Sequence, residues 1–167
     1  MRGIFAAAAG FTAGVLLAGT TVTAAPAEEL TGAAAIAAVA PFYKALNAEF
    51  TKDSADLVRQ ATAPDWTSCS GNDVCNTRDE VIAGIAGRLK SVPDLKWQIK
   101  DILISGNQVT VRGEATGTPS GDFFGAPHTG KSFKIMSIDV HTIEGGKMAR
   151  SYHIENWIGA VRQLGAN

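Results

Sequence analysis

His153 and Glu155 stand two residues apart in SYHIENW, and Asp139 and His141 stand two apart in SIDVH. In a β-strand that spacing puts both members of each pair on one face. A hairpin through IEGGK would lay the two pairs side by side. Two imidazoles and two carboxylates gathered this way suit proton transfer. Burial and a neighbouring carboxylate bring an imidazole or a Glu towards neutrality, where general acids and bases work. The same residue types suit a metal, because two His and a carboxylate form an open triad. D-x-H and H-x-E are short patterns that also arise by chance, and His128 falls in a loop rich in Gly and Pro. No metal and no cofactor is therefore assigned.

Whether the pairs meet depends on the turn between them. IEGGK suits a type I turn followed by a left-handed Gly146, the three-residue turn with a bulge. In that register Asp139, His141, His153 and Glu155 share a face with Phe133, Ile135 and Trp157. Met136, Ile138, Val140, Tyr152 and Ile154 take the other. A plain two-residue turn at Gly145 and Gly146 pairs the opposite parity and separates the polar groups. On an inner face such a quartet needs a reason, since unpaired buried charges are costly. On the outer face of a sheet, or at a subunit interface, it is ordinary wet surface.

The elements that must position these residues follow from periodicity. Val39, Phe42, Tyr43, Leu46 and Phe50 predict a helix over about 33–51, bent at Pro41. A short helix is predicted over Ser54 to Ala61, with Asp53 or Ser54 as its cap. TAPDWTSCSGNDVC reads as loop with one short strand. Thr77 and Glu80 form a capping-box pattern ahead of Val81, Ile82, Ile85 and Leu89, a third helix that ends before Pro93. From Leu95 the period is two, slipping near Asp101 as a bulge would make it. Gly106 and Asn107 turn the chain into a second strand. Lys131 to Ile143 and Lys147 to Glu155 form the last hairpin, and Trp157 to Leu164 a closing helix. Helices followed by a run of antiparallel strands is the α+β layout.

At the N-terminus, Arg2, the small apolar run Phe11 to Ala18, and VTA or TAA ending at Ala24 or Ala25 read as a secretion signal covering residues 1–25. The run is too short for a membrane span. The remaining residues 26–167 suit one domain with its own core. Without Arg2, fourteen basic residues oppose sixteen acidic ones. That balance offers no footprint for nucleic acid and no polybasic face for a membrane. Cys69 and Cys75 are the only cysteines, and in an exported chain they are expected to close a structural disulfide.

Trp66, Trp97, Tyr43, Phe123 and Phe124 have the character of an apolar small-molecule pocket. Ordinary core packing is the competing reading, stronger for Trp97 and Tyr43. The Phe pair, in a loop, fits a pocket lid or an interface.

Three segments, PHTGKSF, SIDVHTIEGGKM and SYHIENWIGAVRQLG, resemble the closing half of the SnoaL-like polyketide or ester cyclases, of the nuclear transport factor 2 like superfamily. From about Pro127 to Gly165 the elements TGK, DxH, GK, HxE and QLG come in the order that family shows. FYKALNAEF and TRDEV fit the same layout. The resemblance implies a cone with N-terminal helices packed on a curved antiparallel sheet around an apolar cavity. In true cyclases it implies an intramolecular aldol closure of a polyketide ester without metal or organic cofactor, the acid/base carboxylate falling at Glu155. Asp139 and His141 then serve as polar supports. Asn156 stands where the family pattern commonly has Asp, and joins Tyr152 as a ligand contact. On this reading Glu155, oriented by His153, takes a proton from a bound apolar carbonyl compound while His141 or Tyr152 polarises the oxyanion. A noncatalytic carrier or sensor of an apolar ligand would use the same cavity. Homodimers are common in this fold, although no interface is legible here.

Overall fold

The computed structural model describes residues Leu30–Gly165, so the secretion signal expected over 1–25 lies outside the described residues. Helix α1 spans Gly32–Ala45 and starts where the Thr31 hydroxyl accepts the Ala34 N–H at 3.2 Å. It buries Ala35, Ala38, Val39, Phe42 and Tyr43. The apolar period runs on to Phe50, yet the helix stops at Ala45, and a separate 3₁₀ turn covers Ala48–Phe50. Asn47 is the cause: its amide donates to the carbonyls of Tyr43 and Trp97 and accepts the Trp97 N–H. A side chain that competes for backbone partners diverts the chain out of the helix.

Helix α2 is Ser54–Ala61 and helix α3 is Arg78–Ser91. At the start of α3 the predicted capping box is present: Thr77 N–H donates to Glu80, and Glu80 N–H donates to the Thr77 hydroxyl. Between these helices lie two strands, β1 (Thr62–Cys69) and β2 (Cys75–Thr77), joined by the Cys69–Cys75 disulfide. Pro64 and Asp65 hide β1 from a propensity reading. The remaining strands are β3 (Lys96–Ser105), β4 (Gln108–Gly117), β5 (Phe133–Glu144) and β6 (Lys147–Glu155), followed by helix α4 (Trp157–Leu164).

The six strands form one sheet in the order β2-β1-β6-β5-β4-β3. Every neighbouring pair is antiparallel except β1 with β6. The pairing of β3 with β4 shifts between Ile99 and Asp101, where the sequence predicts a bulge. One face of β5 carries buried Phe133, Ile135, Ser137, Asp139, His141 and Ile143, and its other face leaves Met136 and Ile138 exposed. The core lies between the inner face and the helices, built on Val39, Val58, Trp66, Val109, Val111 and Met148.

The turn joining β5 to β6 differs from expectation. Glu144 pairs with Lys147 across only Gly145 and Gly146, both at positive φ (55° and 76°), the two-residue loop that glycine favours. That loop alone would set the wrong parity. Parity is restored inside β6, where Ile143 pairs with Met148 but Thr142 with Arg150, leaving Ala149 as an extra residue. Asp139 therefore opposes His153, and the four polar residues share the inner face after all. Deleting Ala149 removes the extra residue but leaves Thr142 opposite Arg150 and Asp139 opposite His153, so the variant should keep the polar quartet inward and retain a cooperative thermal transition in near-UV circular dichroism. Loss of that transition would show that the bulge itself, and not only the pairing beyond it, is needed for the packing.

Candidate active site

A cavity of about 350 Å³ opens between α3, the end of α1 and the inner face of the sheet. Its apolar wall includes Phe42, Leu46, Ile85, Leu89 and Trp97, and its polar floor is Asp139, His141, Ser151, His153 and Glu155. The floor is supplied by the facing strands β5 and β6, with Ser151 opposite His141 and Glu155 opposite Ser137.

Two hydrogen-bonded systems organise this floor. In the deeper one, Trp66 Nε1 donates to Ser151 Oγ at 2.9 Å, and Ser151 Oγ lies 2.8 Å from His141 Nδ1. His141 Nε2 lies 3.0 Å from the Tyr43 hydroxyl, which in turn faces Asp139. One assignment of protons satisfies all of them. Ser151 donates to Nδ1 and His141 donates from Nε2 to Tyr43, which leaves the Tyr43 proton to turn towards the Asp139 carboxylate. Burial, then the charge of His153, lowers the His141 pKa to about 4, so this imidazole stays neutral. Burial also holds the Tyr43 hydroxyl well above its usual range, with Asp139 adding to the effect.

The second system faces the cavity. His153 Nδ1 donates to Glu155 Oε1 at 2.8 Å, and this bond raises the His153 pKa against the opposing effect of burial. Asp139 is 5% exposed and accepts the Ser137 hydroxyl at 3.2 Å. Burial first, and then the charge of Glu155, lifts its pKa from 3.8 to about 6. The site thus holds a carboxylate of unusual basicity directly across the ladder from an imidazole that favours its charged form. Asp139, His153 and Glu155 can each offer a ligand atom within 4.8 Å of the others. A divalent cation there would have to displace the His153–Glu155 bond.

Several expected ligand contacts lie elsewhere. Tyr152 is opposite Val140 on the outer face, 44% exposed, and cannot polarise anything in the cavity. Asn156 caps α4, its Oδ1 accepting the Gly159 N–H at 2.9 Å. Trp66 and Tyr43 lie beneath the floor with their polar ends bonded to it. Phe123 stacks on Phe133 at 5.7 Å, and only Phe124 of that pair reaches the cavity wall. Trp97 belongs to both core and wall, and its buried indole N–H has no partner among the described residues.

Arg88 was not legible as a site residue, although it follows Val81 and Ile85 on one face of α3, a cation within an apolar stripe. Its guanidinium lies against Trp157, Phe124 and Phe123 beside the His153–Glu155 pair, so the cavity has a cationic rim over an acidic floor.

A comparison with curated protein sequences gives no significant match. Solved structures superpose well. TsrD from Streptomyces laurentii is 24% identical with a TM-score of 0.67, over 83% of this chain and 100% of that one. IdmH from Streptomyces antibioticus is 23% identical with a TM-score of 0.67, over 77% and 96%. A SnoaL-like polyketide cyclase from Agrobacterium tumefaciens is 15% identical with a TM-score of 0.62, over 77% and 95%. At these identities the structures speak for the fold, a curved, unclosed sheet with helices on its inner side. The sequence pattern itself goes further, since the profile of the SnoaL-like polyketide cyclases matches residues 38–164, nearly everything from the middle of α1 to the end of α4. With the cavity, its polar floor and that match all lying in one stretch of chain, this protein belongs to the SnoaL-like polyketide cyclase family.

Proposed function

We propose that this chain is a cofactor-independent acid/base enzyme of the cyclase type, a lyase or isomerase acting on an apolar carbonyl compound held in the cavity. The observation that carries this reading is Asp139, a desolvated carboxylate with a pKa of about 6 on the floor of an apolar cavity, facing His153. A base near neutrality can take a proton from carbon at ordinary pH without being protonated by solvent first.

In this scheme Asp139, rather than Glu155, removes the proton, because Glu155 already accepts the His153 N–H. Asp139 takes a proton from a carbon next to a carbonyl, and the C–H electron pair becomes an enolate. The enolate carbon attacks a second carbonyl of the same molecule. A C–C bond forms, the C=O π bond breaks, and the new alkoxide takes the proton of the His153 imidazolium. Transfer of the Asp139 proton to His153 restores both groups. Glu155 orients His153 and favours its charged form. Neutral His141 and Tyr43 hold Asp139 from behind, so they position the base without touching the reacting atoms.

The closed Cys69–Cys75 bridge supports export to an oxidising compartment, as does the signal-like composition of residues 1–25. Mass spectrometry of the protein recovered from periplasm or medium should find a new N-terminus near residue 25. Recovery only from cytoplasm, with Met1 retained, would refute export.

Deuterium exchange from the methyl group of 2-acetylnaphthalene provides a substrate-independent assay. The wild-type protein should accelerate it saturably, and Asp139→Asn should lower the rate by about 10²-fold or more with little change in affinity. Glu155→Gln should cost less. Calorimetric binding without any acceleration would instead establish a noncatalytic carrier or sensor. The rate should rise through about pH 6 as Asp139 ionises and fall at higher pH as His153 loses its proton. A flat profile from pH 5 to 8 would exclude the pair from the chemistry.

Asp139 also links stability to pH. Its folded pKa of about 6 lies above the ordinary 3.8, so the folded state binds the proton more tightly and stability is lost as pH rises between those values. The loss amounts to about 3 kcal/mol. Urea unfolding of wild type and Asp139→Asn should show the variant gaining about that much relative to wild type between pH 4 and pH 7. A difference that does not vary with pH would mean that the carboxylate is well solvated.

A further inference from the structure

Arg88 makes no ion pair within 4.0 Å among the described residues, and its Nη1 is buried there without a hydrogen-bond partner. Its charge is compensated by aromatic faces instead. The guanidinium carbon lies 4.4 Å from the ring centre of Trp157, 4.9 Å from Phe124 and 5.7 Å from Phe123. Ring faces attract a cation but accept none of its in-plane N–H groups. Two carboxylates that line the cavity with it are already engaged: Glu155 with His153, and Glu80 with Thr77 in the capping box. Burial lowers the Arg88 pKa while the field of Glu155 raises it, and a guanidinium keeps its charge.

The loop that supplies Phe124 is bent for the purpose. Phe124 sits at φ 47°, a left-handed backbone that a non-glycine residue rarely adopts, beside a tight bridge from Phe123 to Ala126. Packing of the two Phe rings against each other, Trp157 and Arg88 holds that conformation. The result is a guanidinium fixed in position at a cavity wall with donors left over.

We infer that Arg88 is a binding residue for a carboxylate on the ligand, so that this cavity takes apolar, aromatic or polyketone carboxylic acids in preference to their neutral esters. A planar carboxylate matches the fork of donors that the rings leave open. The inference rests on the cavity being a ligand site, as proposed above, but does not depend on catalysis. It places the ligand's acid group at the α3 rim and leaves its carbonyl carbons over Asp139 and His153. A ligand anchored at Arg88 brings one negative charge to a cavity whose floor carboxylates are partnered by His153, Tyr43 and Ser137.

The test is calorimetry at pH 7.5 with 2-naphthoate and methyl 2-naphthoate, ligands of similar shape that differ in charge. Wild type should bind the acid at least about tenfold more tightly than the ester, the difference expected from a charged hydrogen bond. Arg88→Gln should erase that preference with ester affinity unchanged, and Arg88→Lys should keep part of it. Equal wild-type affinities, or a preference that survives in Arg88→Gln, would overturn the assignment to Arg88 and leave the ligand cavity standing. Binding of neither compound to wild type would remove both the assignment and the cavity reading. Should Arg88→Gln not fold, the wild-type comparison decides the acid preference, and Arg88→Lys decides the residue.

Discussion

One extra residue in β6 governs the whole site. Side chains alternate along a strand with a period of two, so the sum of paired residue numbers decides which groups share a face. The Gly145–Gly146 turn sets that sum at 291, and the unpaired Ala149 raises it to 292 for the rest of the ladder, as Glu144 with Lys147 and Asp139 with His153 show. Were Ala149 paired in the ladder instead, Asp139 and His141 would lie on the opposite face from His153 and Glu155. With it, the sheet's inner surface acquires two carboxylates and two imidazoles under an apolar roof.

Burying four such groups is tolerable because each is partnered. His141 is neutral and bonded at both nitrogens, to Ser151 and Tyr43. Glu155 is matched by His153, whose charge the bond sustains. Asp139 alone carries the cost of desolvation forward as raised basicity, since the bonds from Tyr43 and Ser137 only partly offset burial and the charge of Glu155. The division of labour follows from depth. Groups beneath the floor are locked into structure, and groups at its surface remain available for exchange of protons with a ligand.

Much of this was legible in the residues. The capping box at Thr77, the slip near Asp101, the start of β6 at Lys147 and the closing helix at Trp157 all rest on short-range rules, and short-range rules apply wherever the residues occur. The face shared by the four polar residues was expected, but for a different local reason: a bulge at Gly146 was predicted and one at Ala149 is present. Only a short strand was expected where β1 runs for eight residues, because Pro64 and Asp65 oppose its pattern and its neighbour β6 comes from far along the chain. Tyr152 and Asn156 drew attention by lying next to the site in sequence. In a strand an adjacent residue points away, and a residue before a helix serves first as its cap.

Chemistry by type and spacing thus belongs to the chain as written: which groups can ionise, which pairs ride on one side of a strand, where helices begin, and which family the pattern matches. Their environment does not, because desolvation and cation–aromatic contact arise between residues that the sequence keeps far apart. Asp139 has its raised pKa only where packing buries it and β6 brings the charge of Glu155 near. Arg88 becomes a site residue only where α3 meets the Phe124 loop and the start of α4. Periodicity can say that a residue faces inward, but what it meets there is settled by packing.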